Sequence, residues 1–162
     1  MPKTAHDIRV RKARSDDLEG LLGLYGFLNN VEVPSASDPR IVDVWNKILN
    51  NRSQHVLIGT VNEVPASTCV LIIVENLTRN GRSHAIIENV VTHPSFRKNG
   101  IGTLVLNEAK RIAEEYNCYK IMLMTGSKDP NVWSFYEHAG YNTNDKRAYL
   151  MWVGDPVTHG VE

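Results

Sequence analysis

Apolar residues recur along this chain with two periods, one of two residues and one of three to four. The two-residue period predicts strands at 8–14, 55–61, 66–74, 85–92 and 147–153, and an apolar run predicts a buried strand at 119–125. The longer period predicts helices at 18–28, 41–49, 100–116 and 131–139. The resulting order, β-α-α-β-β-β-α-β-α-β, favours a mixed sheet with helices on its faces.

Each predicted helix presents an apolar stripe, and the second and third stripes are the clearest. The second helix is expected to bury Ile41, Val44, Trp45, Ile48 and Leu49. The third is expected to bury Ile101, Leu104, Val105, Ala109, Ile112, Ala113 and Tyr116. Between two predicted strands, Asn62 and Glu63 indicate a tight turn.

Length and charge narrow the class of protein. A chain of 162 residues without an internal repeat or linker predicts one domain over 1–162. Eighteen basic and eighteen acidic side chains cancel, so no general electrostatic attraction to nucleic acid or to anionic membranes is expected. We therefore expect no nucleic-acid partner and no membrane association.

Cysteine usage and the absence of targeting patterns narrow the class of protein further. Cys69 and Cys118 are too few and too far apart for a disulfide framework or a zinc site, so no metal is expected. The first residues lack the apolar stretch of a signal peptide. The longest apolar run, 70–74, is far shorter than the roughly 20 residues that span a bilayer. These observations predict a cytoplasmic protein.

The segment that carries chemistry is the loop between the strand at 85–92 and the helix from 100. Backbone N–H groups at the start of a helix lack intrahelical acceptors and lie at the positive end of the helix dipole. Gly100 and Gly102 leave that backbone open to a ligand, and Arg97 and Lys98 add positive charge. The arrangement suits a diphosphate.

Other glycine-rich phosphate loops differ from this one in detail. A Walker A loop ends in Gly-Lys-Ser/Thr, whereas Thr103 and Leu104 follow Gly102. The dinucleotide fingerprint needs a third small residue where Val105 stands. From the loop alone, a helix that begins after glycine beside a solvated Arg-Lys pair stays open as a second interpretation.

Two motifs in the correct order and spacing resemble one enzyme family. The run Arg97-Lys98-Asn99-Gly100-Ile101-Gly102 resembles the acetyl-CoA loop of GNAT-type N-acetyltransferases, Arg/Gln-x-x-Gly-x-Gly/Ala. Phe135-Tyr136-Glu137-His138-Ala139-Gly140-Tyr141 is similar to that family's Phe/Leu-Tyr-x-x-x-Gly-Phe/Tyr signature. The resemblance covers about residues 8–153. It implies the GNAT fold, an α/β (α+β) arrangement with a mixed, mostly antiparallel central sheet, splayed strands and helices on both faces.

The resemblance also implies a cofactor, acetyl-CoA, and the residues that hold it. The backbone amides that would bind the CoA diphosphate belong to Arg97, Lys98, Asn99, Gly100, Ile101 and Gly102. The backbone of Val90, Val91 and Thr92 would pair with the pantetheine amides. Tyr136 would lie beside the CoA sulfur and hydrogen-bond or protonate the departing thiolate. The chain departs from the family where many members carry an Asn seven residues before this Tyr, because Asp129 stands there; Asn131 either takes that role or only caps the helix.

Glu88 is the candidate general base. An alkyl amine with a pKa near 10.4 is mostly protonated at neutral pH, so transfer to it needs a base or a water relay. Strand parity places Glu88 on one face with Ile86 and Val90, and Asn89 on the other with Ile87 and Val91. Relatives such as glucosamine-phosphate and aminoalkylphosphonate acetyltransferases carry Glu at the matching position. The alternative is a Glu on a wet strand face, paired to Arg or Lys, and a β-bulge in this strand would change the face it uses.

The acceptor is expected to be a small primary amine. By the same resemblance, Tyr25, Asn29 and Glu32 fall where the family builds its acceptor pocket, and the protein is expected to form a homodimer. Two other functions stay open from the sequence: acetylation of a protein N-terminus or lysine, and non-catalytic binding of acyl-CoA.

Overall fold

A computed structural model describes residues 7–28 and 32–153. The elements in chain order are β1 Ile8–Lys12, a 3-10 turn Ser15–Asp17, α1 Leu18–Tyr25, α2 Pro39–Asn50, β2 Gln54–Val61, β3 Val64–Val74, α3 Thr78–Gly81, β4 His84–Thr92, a 3-10 turn Pro94–Phe96, α4 Ile101–Glu115, β5 Ile121–Leu123 and α5 Pro130–His138. The chain divides into two compact units, Met1–Leu123 and Met124–Glu162. The expectation of a single domain stays a prediction.

All five strands belong to the first unit and form one sheet in sequence order. The pairs β1–β2, β2–β3 and β3–β4 are antiparallel, and β4–β5 is parallel. The predicted mixed, mostly antiparallel sheet is confirmed. The turn between β2 and β3 is the predicted one: Asn62 and Glu63 have φ of 50° and 66°, the left-handed conformation that a two-residue hairpin turn requires.

Helices cover both faces of the sheet. On one face, α1 and α2 contribute Leu21 and Trp45 to a cluster with Val56, Ile58 and Val70. On the other face, Ile101 at the start of α4 packs against Val61 and Ala66. A partly buried ion pair fixes the entry to α1, because Arg11 donates to both carboxylate oxygens of Asp17 at 2.6 and 2.8 Å.

Several predicted core positions are wrong because periodicity marks a stripe but not its edges. Val44, Leu104 and Tyr116 are 50%, 43% and 41% exposed, whereas Leu106 on α4 is buried. The predicted strand at 147–153 is also wrong, since the structure shows no strand there. A strand needs a neighbouring ladder, and the sheet of the described residues consists of β1 to β5 alone. Its large side chains, including Tyr149 and Met151, are exposed.

Candidate active site

The loop between β4 and α4 presents a row of free backbone donors. Gly100 caps α4 with a φ of 81°, a left-handed conformation that favours glycine, and Lys98 has a φ of 62°. The first helical bond runs from the N–H of Leu104 to the carbonyl of Gly100 at 3.1 Å. Within the described ranges, no N–H from Lys98 through Thr103 donates a hydrogen bond to any protein atom. These donors and the helix dipole favour an anion here.

Close packing fixes the first turn of α4 behind this loop. Ile101 is buried, and a Cβ added to Gly59 of β2 would lie 3.0 Å from its Cγ1 and 2.9 Å from Cγ2 of Val105. Real Cβ contacts are rarely so short, so glycine at position 59 permits this approach of α4 to the sheet. The free donors therefore sit on a rigid element.

Polar contacts also hold the end of β4. The Nε atom of Arg97 donates to the carbonyl of Thr92 at 3.1 Å. The buried hydroxyl of Ser67 on β3 donates to the carbonyl of Val91 at 3.1 Å and lies 2.9 Å from the hydroxyl of Thr92. The predicted Arg97 thus contributes positive charge and a structural bond, while Lys98 is exposed.

Strand β5 is much shorter than β4. All three of its residues pair with β4, at Ala85–Ile121, Ile86–Met122 and Ile87–Leu123. From Glu88 to Thr92, β4 therefore has no ladder with β5. Val90, Val91 and Thr92 lie on this part of β4. Their pairing with pantetheine stays a prediction.

A bulge in β4 corrects the strand parity. Glu88 lies opposite Val70 and Val91 lies opposite Thr68, so Asn89 and Val90 together face one residue of β3. Asn89 has a φ of 52°. Since opposed residues in an antiparallel pair share a face, Glu88 and Val91 lie on the same face, the one covered by α1 and α2. The prediction that Val91 shares the other face with Ile87 is wrong.

Glu88 is half-buried and carries no ion pair. No hydrogen bond or salt bridge engages its carboxylate within residues 7–28 and 32–153. The alternative of a Glu paired to Arg or Lys is therefore not what the structure shows. A carboxylate beside the apolar cluster of Val70, with its oxygens available, can accept a proton directly or through water.

The phenol of Tyr25, at the end of α1, lies beside the side chain of Asn89, and against the effect of burial this polar contact lowers the pKa of the phenol. Burial raises the pKa of Tyr25 to about 12, so its hydroxyl is neutral at physiological pH. The structure thus brings the predicted Tyr25 to the bulge that follows Glu88. Asn89 was missed as a site residue; the available signal was an Asn within an apolar strand, because Asn tolerates the left-handed conformation that a bulge can require.

The sequence also predicts Asn29 and Glu32 as acceptor residues. Glu32 is exposed, and no hydrogen bond or ion pair to it occurs in the part of the chain that the structure describes. Asn29 lies outside the described residues. Both stay predictions.

The second unit carries Tyr136 and Asn131 on or beside α5. The ring of Tyr136 lies 5.1 Å from that of Phe135 and 6.2 Å, edge-on, from that of Tyr141. Gly140 ends the helix with a φ of 93°. Asp129, not Asn131, caps α5: one of its carboxylate oxygens accepts from both the backbone N–H and the side-chain amide of Asn131, each at 2.9 Å. Binding of CoA by Asn131 stays a prediction.

The described residues contain neither a metal-binding cluster nor a membrane-spanning helix. No group of three or more His, Cys, Asp or Glu side chains there could hold a metal ion. No helix in the same ranges is long and apolar enough to cross a membrane. The expected cytoplasmic location stays a prediction.

Fold and site define a class of protein: a mixed sheet whose fourth strand leads into a loop of backbone N–H donors at the start of a helix. The chain belongs to the acetyltransferase (GNAT) family, whose model matches residues 22–141. It is an N-acetyltransferase, as the motifs implied, and the family uses acetyl-CoA.

Similar proteins support this assignment. The chain is 26% identical over 151 residues to glucosamine 6-phosphate N-acetyltransferase from Trypanosoma brucei brucei, a match that covers 89% of this chain and 95% of the relative. A solved candidate acetyltransferase from Agrobacterium tumefaciens is 38% identical with a TM-score of 0.83, covering 90% and 99% of the two chains. Glucosamine-6-phosphate N-acetyltransferase from Arabidopsis thaliana, at 21% identity and a TM-score of 0.77 over 90% and 99%, shares the fold.

Proposed function

We propose that this enzyme transfers the acetyl group of acetyl-CoA to a primary amine of a small molecule by direct attack in a ternary complex. The observation that carries the proposal is the row of free N–H groups from Lys98 through Thr103 beside a strand that bears the unpaired Glu88. The match to a glucosamine 6-phosphate N-acetyltransferase supports a small amine as acceptor.

The loop donors fit the cofactor. Several charge-assisted hydrogen bonds to a diphosphate, each contributing about 1.5–3 kcal/mol, are enough to anchor a nucleotide-like tail. The N–H of Arg97 donates to the carbonyl of Pro94 at 3.3 Å, so the proposed ligand set is the backbone N–H groups of 98–102, the backbone of β4 at 90–92, and Asn131, with Arg97 adding charge. Acetyl-CoA supplies a thioester carbonyl that an amine can attack.

Glu88 is proposed to remove the proton of the amine. Deprotonating an alkyl ammonium with a pKa near 10.4 at neutral pH costs about 4–5 kcal/mol. A carboxylate without a competing cation can take that proton, directly or through one water. Because Glu88 lies opposite Val70, on the face that α1 covers, the proposed acceptor pocket includes Tyr25, with Asn29 and Glu32 farther along the chain.

Tyr136 is proposed to donate a hydrogen bond or a proton to the departing thiolate. A thiolate with a pKa near 8.5 leaves without full protonation, so the expected contribution is moderate. No covalent intermediate on the enzyme is required.

The proposal includes a homodimer. Tyr149, Leu150, Met151 and Val153 are 86%, 63%, 84% and 90% exposed. A second copy of the chain can cover such an exposed apolar segment. Light scattering after gel filtration tests the mass, and a monomer at micromolar concentration would contradict this part of the proposal.

Thiol release from acetyl-CoA, measured with a panel of amines, tests the activity. The panel contains amino-sugar phosphates, aminoalkylphosphonates, polyamines and peptides with a free N-terminus or lysine. We expect turnover with at least one small amine. Turnover with peptides alone would favour a protein acetyltransferase, and calorimetric binding of CoA without any turnover would favour a non-catalytic module. Gly100→Val, which strains the left-handed cap, is expected to weaken CoA binding.

A further inference from the structure

A half-open cavity lies in the first unit, at the opposite end of α4 from the loop. It has a volume of about 270 Å³ and is lined by the end of β1, the end of α2, the start of β2 and Tyr116. Because α4 has fifteen residues, at about 1.5 Å per residue its two ends are about 22 Å apart. The cavity is therefore separate from the proposed CoA site.

The ionisable lining of this cavity is entirely basic. Lys12, Arg52 and His55 contribute to it, and no Asp or Glu does. Neither the ammonium of Lys12 nor the guanidinium of Arg52 has a hydrogen bond or ion pair within the described ranges. A hydrogen bond from Arg111 and, to a smaller extent, the nearby charge of Lys12 lower the pKa of Glu108, but the carboxylate of Glu108 accepts no hydrogen bond from Lys12.

By contrast, other arginines of the described chain are engaged. Arg9, Arg11, Arg40 and Arg111 pair with carboxylates, while Arg82 and Arg97 donate to backbone carbonyls. Exposed cations without a hydrogen bond or ion pair also occur elsewhere in the described ranges, at Lys98 and Arg147. Lys12 and Arg52 are therefore distinguished by their place in one cavity with His55 and Tyr116.

His55 is the second unusual feature of the lining. Its side chain is buried, with 7% of the residue exposed, and its Nε2 atom has no hydrogen-bond partner among the described residues. Its ring lies 5.4 Å from that of Tyr116, whose hydroxyl donates to the carbonyl of Arg52 at 3.1 Å. This bond ties the backbone of Arg52 to the aromatic wall. A buried polar atom without a partner is uncommon and calls for a cause.

The rest of the lining is apolar or neutral. Ile48, Leu49 and Val56 supply aliphatic surface, and the amide of Gln54 adds a donor. A cavity of this size holds a ring-sized body, since about 150 Å³ holds benzene. Apolar walls with a few convergent polar groups are typical of ligand sites.

We infer that this cavity binds a small organic anion, a single carboxylate or phosphate on a short apolar body, between Lys12 and Arg52. The anion would lie against the two cations, with the apolar body against Tyr116 and the aliphatic wall. The ligand class does not depend on the proposed transferase reaction, and the enzyme would carry two anion sites at opposite ends of α4.

NMR titration of the full-length protein tests the inference with three probes. Benzoate and phenyl phosphate carry the two anion types, and benzamide is the neutral isostere. We expect saturable shifts of the His55 and Tyr116 ring signals with both anions and binding of benzamide at least tenfold weaker. Comparison of benzoate with phenyl phosphate shows which anion is preferred.

Substitutions at exposed positions keep the test independent of folding. Arg52→Gln and Lys12→Gln are each expected to weaken benzoate binding about tenfold, with unchanged thermal unfolding. Lys110→Gln, on α4 but outside the cavity lining, is the matched control and should change it less than twofold. Equal binding of benzamide, shifts confined to the amides of 97–103, or equal weakening by Lys110→Gln would overturn the inference.

Discussion

The phenol of Tyr25 lies beside the side chain of Asn89, the residue at which β4 bulges. This polar contact connects the last residue of α1 to the strand position next to Glu88. Helix α1 packs on this face of the sheet through Leu21. The contact therefore links Tyr25 of the proposed acceptor pocket to the strand that carries the proposed base, Glu88.

Removing this polar contact should change catalysis more than stability. Tyr25→Phe keeps the packing of the ring, so we expect a loss of at most about 1 kcal/mol in the free energy of unfolding and a higher KM for the amine. Asn89→Gly keeps the left-handed backbone and removes the same contact, so its effect on KM should be similar, whereas Asn89→Ala also gives up the tolerance of Asn for the left-handed conformation. Thermal unfolding and steady-state kinetics measure both effects. Unchanged kinetics in both Tyr25→Phe and Asn89→Gly would show that the contact does not contribute to the site.

Replacing Glu88 by Gln should lower kcat/KM by about 10²–10⁴ at pH 7, the usual contribution of a general base. The deficit should shrink as the pH rises toward the pKa of the amine, near 10.4, because the free amine then no longer needs the base. A kcat/KM profile from pH 6 to 10 measures it. Glu75→Gln, at an exposed position after β3, is the control. Parallel profiles for wild type and Glu88→Gln would exclude Glu88 as the base.

Tyr136→Phe should lower kcat by about 10- to 100-fold, at the low end of general-acid effects because a thiolate is a good leaving group. The Kd for CoA should stay within about twofold, since the ring is retained. Stopped-flow thiol release and calorimetry give the two quantities. Tyr141→Phe, an aromatic neighbour in the same unit, is the matched control, and an equal kcat loss in both variants would indicate packing rather than proton donation.

Gly59→Ala should destabilise the protein by about 1–3 kcal/mol, as overpacking does. The added methyl meets Val105 and Ile101 at 2.9 and 3.0 Å, so the first turn of α4 must shift and CoA binding should weaken. Gly23→Ala is the control: a Cβ there meets nothing, and Ala in a helix should stabilise by about 0.5–1 kcal/mol. Chemical denaturation and CoA calorimetry compare the two. Normal stability and affinity in Gly59→Ala would show that the approach of α4 is unimportant.

The Arg11–Asp17 pair predicts a pH-dependent stability. The side-chain hydrogen bond from Arg11 lowers the pKa of Asp17 against the effect of burial. The stabilisation by Asp17 is therefore complete above the pKa that its carboxyl has in the unfolded state, about 3.9. It is lost as the pH falls through the lower pKa of the folded state. Asp17→Asn should cost about 2–4 kcal/mol at pH 7, and this difference should shrink below about pH 4.

Denaturant unfolding at pH 7, 5, 4 and 3 measures that difference. Asp43→Asn, whose carboxylate forms an exposed pair with Lys47, should change stability by less than about 0.5 kcal/mol at each pH. A pH-independent cost of Asp17→Asn would show that the carboxylate contributes through packing alone.

The sequence by itself determined the sheet class, the loop and the turns, because these depend on local chemistry. The left-handed cap at Gly100 and the turn at Asn62 and Glu63 follow from residue type, and the two motifs were enough to name the family.

Only the tertiary structure decided the rest. Strand parity failed at Asn89, since one extra residue reverses the face of those that follow. Alternation at 147–153 predicts a strand, but a strand forms only beside another ladder. Among the described residues, no cation pairs with Glu88, while Lys12, Arg52 and His55 line one cavity. Both arrangements depend on residues far apart in the chain, which no local pattern can relate.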